Sequence, residues 1–175
     1  MYLEDWIKGH VMTAPQARRI DVEPEPLLGD RVFDYADAFE VDAARPDDRT
    51  AEQLARVALE QAPAAVRVLV WRVHRHVLRG QQGPLGSPEH VFGFTIVHRE
   101  PDAVVLHEAS PLLDAHLVIR RRLPTRVSVA TFLTFHRPRV TRALWVVVGP
   151  LHRRVAPLLL ERAAATGAAP APAPR

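Results

Sequence analysis

"FLTFHRPRVTRALWVVVGPLHRRVAPLLLERA", residues 132–163, contains a change of period. Up to Phe135 the apolar residues alternate, as in a strand. From Pro138 they recur every three or four positions, as in a helix. Pro138 suits a first helical turn, and Gly167 suits the position just past a helix end. A helix between them runs about 27 residues, or roughly 40 Å. Its uninterrupted apolar run, residues 143–151, is nine residues. Crossing a bilayer takes about 20, and Arg153 and Arg154 follow at once. Projected at about 100° per residue, Val140, Leu144, Val147, Val148, Leu151, Val155 and Leu158 form one stripe. Arg139, Arg142 and Arg153 lie opposite, together with Val146 and Leu160. His152 and Arg154 sit at the two edges of the stripe. Pro150 and Pro157 each remove one helical hydrogen bond and are expected to bend the helix.

Upstream, the same two periods sort the rest of the chain. Residues 15–29 hold three prolines and read as an extended lead-in. Residues 31–41 alternate, with Phe33, Tyr35, Asp37 and Phe39 on one side, which predicts a strand. Thr50-Ala-Glu-Gln53 is a capping box that starts a helix at Ala51. Pro63 opens a second helix, on which Val66, Leu69, Val70, Val73 and Val77 share a face; its many valines keep a strand as the alternative. Gly80, Gly83, Pro84, Gly86 and Pro88 mark a loop. Four strands follow at 90–99, 103–109, 115–121 and 126–136. Their short links imply antiparallel neighbours. The order β-α-α-β-β-β-β-α predicts an α+β domain over residues 27–166. A curved antiparallel sheet would pack on one long C-terminal helix, with two short helices after the first strand. Residues 1–26 form an N-terminal arm, and 167–175 a disordered Ala-Pro tail.

The chain has 175 residues and no cysteine, which excludes disulfides, thiolate catalysis and Cys-based metal centres. The absence of a secretory signal and of cysteine suits a cytoplasmic protein. Lysine occurs once, at Lys8, so the arginine, alanine and proline excess reads as GC-rich bacterial coding rather than selection for phosphate. Charge is uneven. Residues 1–60 carry net −7 and residues 61–175 net +10. Either the halves pack and their fields cancel, or the arginine-rich half serves a protein partner. No nucleic-acid motif and no membrane span is present, so neither partner is expected.

Motif chemistry is sparse. The loop "GQQGPLG" lacks the Lys-Ser/Thr of a phosphate loop and the G-x-G-x-x-G spacing of a dinucleotide site, so no cofactor is expected. His107-Glu108 lacks the second histidine of a zinc protease. His74 and His76 diverge on a helix, so no metal site is expected. No G-x-S-x-G occurs. What remains is polar groups within apolar strands. Glu108 shares a side with Val104 and Leu106, His116 with Val118 and Arg120, and Thr131 with Val129 and Leu133. Either these face outward or pair with one another, as Glu108 with Arg120, or they line an apolar cavity and orient a ligand.

The segments "YADAFEV" (35–41), "APAAVRVL" (62–69), "VFGFTIV" (91–97), "VVLHEASPLLDAHLVIR" (104–120) and the stretch at 132–163 resemble the bacterial domain of unknown function 2867 family. That family lies within the START-like, Bet v 1-like (SRPBCC) helix-grip superfamily. The resemblance implies a cavity between sheet and C-terminal helix that takes a small apolar molecule. Its expected lining is Phe94, Leu106, Leu117, Phe132, Leu144 and Val148, with Glu108, His116, Thr131, His152 and Arg154 as polar contacts. It also implies an alternative, a cyclase or aromatase using Glu108, His116 or His152 as acid–base groups. Similar domains sit behind NAD(P)-binding domains, so a third expectation is a non-catalytic module docking on a redox partner.

Overall fold

The computed structural model describes residues 15–43 and 46–166. The expected N-terminal arm before residue 15, the Ala-Pro tail and Gly167 lie outside the described residues. The elements are β1 (Arg18–Ile20), β2 (Tyr35–Asp42), α1 (Ala51–Glu60), α2 (Ala64–Arg72), β3 (His90–Val91), β4 (Phe94–Arg99), β5 (Ala103–Ala109), β6 (Leu113–Leu123), β7 (Arg126–Phe135) and α3 (Pro138–Ala165). The protein is α+β. Its strands form one seven-stranded antiparallel sheet in the order β1-β2-β7-β6-β5-β4-β3, with α3 packed on it.

Local chemistry accounts for most boundaries. The Thr50 hydroxyl accepts from the Gln53 amide and the Gln53 side chain accepts from the Thr50 amide, so both ends of the capping box are closed. Pro63 precedes α2, whose valines are helical rather than extended. The turn at Phe92-Gly93 joins β3 to β4 with φ of 51° and 90°, the two-residue hairpin geometry that glycine favours. The lead-in does more than approach the sheet. Residues 18–20 pair with β2 as an edge strand, and Glu25 holds Arg120.

Each strand alternates between two faces. The inner face meets α1, α2 and α3 through Phe39, Val41, Phe94, Val104, Leu106, Ile119, Val127 and Val129. The outer face is covered by the lead-in, where Leu28 and Phe33 pack on Val105, Val118 and Phe132. Arg49 locks the two ends of the domain. It grips the buried Asp47 with two guanidinium nitrogens, and one of these also reaches the Ala163 carbonyl near the end of α3.

The face that α3 buries differs from its most apolar stripe. Thr141, Val148, Gly149, Leu159, Leu160, Ala163 and Ala164 are buried, whereas Val140, Val147 and Leu158 are exposed. The inward face is rotated by roughly 100° from the stripe the projection picks out. The physical reason lies on β2 and β7, where Asp37 and Thr131 hydrogen-bond His152 and so turn that side of the helix toward the sheet. By length and composition alone, α3 also passes as a helix able to cross a membrane.

Candidate functional site

The inner face and the helices border a partly open apolar cavity of about 130 Å³. Phe94, Leu117, Ile119, Val129 and Leu133 form its floor; Leu69 and Val70 of α2, Val73 just after it, and Val148, Leu151 and Val155 of α3 form its walls. Four side chains with a polar atom line it: His74, His152, Thr131 and Trp145. A larger hollow of about 450 Å³ lies on the outer face beside the lead-in. It is the poorer site despite its size, because its Arg120 and Arg122 are already paired with Glu25 and Glu23.

Each cavity histidine is held from behind by a buried carboxyl group. On one wall, His152 Nε2 lies 3.2 Å from Asp37 Oδ1 and 3.3 Å from Thr131 Oγ1. Asp37 is fully buried, and its other oxygen accepts from the Tyr35 hydroxyl at 2.6 Å. Burial pushes the Asp37 pKa up, but the hydrogen bonds from His152 and Tyr35 outweigh it and hold the group below its ordinary value. Burial, and then the same contact, raise the Tyr35 hydroxyl above its usual range. Trp145 covers this group, with its ring on Tyr35 and on His152. Its indole N–H is buried without a partner.

On the other wall, His74 Nδ1 lies 2.5 Å from Glu108 Oε2. The chain makes this contact by widening the turn after α2. The Leu78 amide bonds to the Val73 carbonyl, five residues back, and Gly80 to His74. Such wide turns re-aim side chains within a helix. Gly80 leaves room for the carboxyl group, because a Cβ there would lie 2.2 Å from Glu108 Oε1 and displace it. That oxygen is buried and has no hydrogen-bond partner. Nδ1 of His74 is engaged with Glu108, and the side chain lines the cavity.

Among the sequence candidates, Phe94, Leu117, Thr131, Val148 and His152 line the cavity. Leu106 lies on the same face, fully buried in the core beside it. Leu144 packs just beyond the cavity end, against the cluster of Leu78, Leu113 and Phe135. Glu108 stands behind His74 rather than in the lining. Its suggested pairing with Arg120 does not form, because the two side chains project from opposite faces. Three candidates need correction. His116 and Phe132 pair with each other across β6 and β7 but point to the outer face, where both pack on Phe33. Arg154 is exposed on α3, since the helix is rotated away from the projected stripe. Sequence reasoning missed Asp37, Tyr35, His74 and Trp145. The signal for Asp37 was present: a carboxylate in the middle of a row of aromatics at period two.

No family model matches the chain, and no curated protein or solved structure matches it either.

Proposed function

We propose that the protein binds a small apolar molecule in the cavity between the sheet and α3. The observation that carries this is a space of about 130 Å³ walled by aliphatic and aromatic side chains. An apolar cavity of about 150 Å³ stays dry and takes up benzene, so the ligand is of single-ring or short-chain size. His74, His152 and the indole N–H of Trp145 supply the few polar points that fix orientation. The helix-grip resemblance supports the same reading, since that superfamily places apolar ligands between sheet and C-terminal helix. The test uses toluene and phenol as probes. Both raise the melting temperature and perturb Trp145 fluorescence. Filling the cavity with Ala156→Phe removes the response while the protein stays folded. A response that survives filling, or none from either probe, overturns the proposal.

One observation favours a second reading, an acid–base enzyme of the cyclase or aromatase type: two imidazoles lining one cavity, each held by a buried carboxyl group. The acid–base pair is then His74 and His152, with Glu108 and Asp37 positioning them. Solvent-deuterium exchange into a small cyclic ketone tests it. Exchange is lost in His74→Gln and His152→Gln while toluene binding is kept. Undiminished exchange in both variants rules it out.

A further inference from the structure

The surface around α2 and the first two-thirds of α3 has a composition unlike the rest of the protein. Neither residues 61–88 nor residues 115–160 contain an Asp or Glu. Arg18, Arg49, Arg56, Arg99, Arg120 and Arg126 each hold a carboxylate, and on α3 Arg142 holds Asp34. On this surface, Arg72, Arg75, Arg79, Arg139, Arg153 and Arg154 form no ion pair among the described residues. Interleaved with them are exposed apolar side chains. Val68, Leu69 and Trp71 protrude from α2, and Val140, Val146 and Val147 from α3, the last two about three-quarters exposed. No residue of α2 is buried at all. Both helices lie on the inner side of the sheet and border the same cavity.

We propose that this face docks on an anionic lipid bilayer, lying in the headgroup layer without crossing it. Helices rich in arginine, with Trp, Val and Leu between the charges, bind such surfaces through apolar insertion plus attraction to acidic lipids. The charge excludes a second copy of this face, because arginines would meet arginines. The apolar groups exclude nucleic acid, whose phosphates give valines nothing to bury against. Val146 and Val147 project about 100° apart on α3. A single packed helix covers one such direction, whereas a fluid interface covers both. One side of α3 stays bound to the sheet through Thr141, Val148 and His152, so the helix lies along the membrane rather than through it. The proposal stands apart from the cavity's occupant, and its test contains no ligand.

Purified full-length protein is floated with vesicles of phosphatidylcholine alone or with about 30% phosphatidylglycerol, at low and high salt. The expected result is recovery with the anionic vesicles, at least about tenfold above neutral ones, and loss of that excess at high salt. Val147→Asp reduces recovery by about tenfold, as does the double variant Arg72→Glu/Arg75→Glu. Val97→Asp, on exposed β4, leaves recovery unchanged. Circular dichroism confirms that each variant is folded. Two variants on different helices keep the test decisive if one of them misfolds. No recovery with anionic vesicles overturns the proposal and leaves the face to an acidic protein partner. Equal recovery on neutral vesicles, or recovery insensitive to both variants, overturns it as well.

Discussion

Replacing His116 with Asn changes how stability depends on pH, and the structure sets the direction and size. His116 is 6% exposed on the outer face, against Phe33 and stacked on His107 with ring centroids 4.6 Å apart. Burial first, then the charges of His107 and Arg31, lower its pKa from 6.5 to about 4. Arginine has only donors, so Arg31 Nη1, 3.3 Å away, donates to Nε2 and selects the neutral ring. A group whose neutral form is favoured by folding binds fewer protons in the native state than in the unfolded one. Stability therefore rises with pH between about 4 and 6.5 and is lost as pH falls through that window. The gap between 6.5 and about 4 corresponds to about 3.4 kcal/mol. His107 and Arg31 face water, so their share is screened, and about 2 kcal/mol is the expected size. Urea unfolding from pH 4 to pH 7.5 measures it. The carboxylates titrate alike in wild type and His116→Asn, so the difference between the two curves isolates the imidazole. That difference changes by about 2 kcal/mol across the window, with the wild type losing more on acidification. Parallel curves would refute both the burial of this ring and its neutral state.

Further outcomes follow from other contacts. Gly80→Ala places a Cβ on the Glu108 carboxyl and drives it from His74; thermal unfolding shows a loss of about 1–3 kcal/mol, and toluene binding weakens with it. Arg49→Met leaves the Asp47 carboxylate buried without its partner. Burial pushes the Asp47 pKa up and Arg49 pulls it below the ordinary value, so removing Arg49 costs about 3–5 kcal/mol at neutral pH and less in acid, where the group protonates. Thr50→Ala opens one side of the capping box and costs about 1 kcal/mol in chemical denaturation.

The strands and helices were legible because their signals are local. The capping box at Thr50, Pro63 before α2, the alternation through 103–109 and 126–135, and Pro138 before α3 each act within a few residues of the boundary they set. Glu108, His152 and Thr131 were legible as polar groups out of place in apolar runs. Glu108 and His152 then found partners that no spacing announces: His74 is 34 residues away and Asp37 is 115 away. Side choice was less legible. Alternation correctly puts His116 with Val118 and Arg120, and Thr131 with Val129 and Leu133. It does not say which set meets α3, because an antiparallel sheet covered on both faces by the same chain is apolar on both.

The sequence by itself determined most of the elements, their order and the antiparallel sheet, since period, caps and link lengths are properties of neighbouring residues; it read 18–20 as lead-in and 90–99 as one strand, where the sheet holds β1 and the β3–β4 hairpin. It also determined the run of arginines without carboxylates. Only the tertiary structure decided which side of α3 is wet. The projection assigns the richest apolar stripe to the core, but Asp37 and Thr131 draw His152 inward and leave Val140 and Val147 in solvent. Burial is settled by the whole set of contacts a helix makes with the sheet: His152 meets Asp37 on β2 and Thr131 on β7, and Val148, Leu159, Leu160, Ala163 and Ala164 are buried on the same helix. That rotation places His152 at the cavity and leaves Val140 and Val147 on the surface.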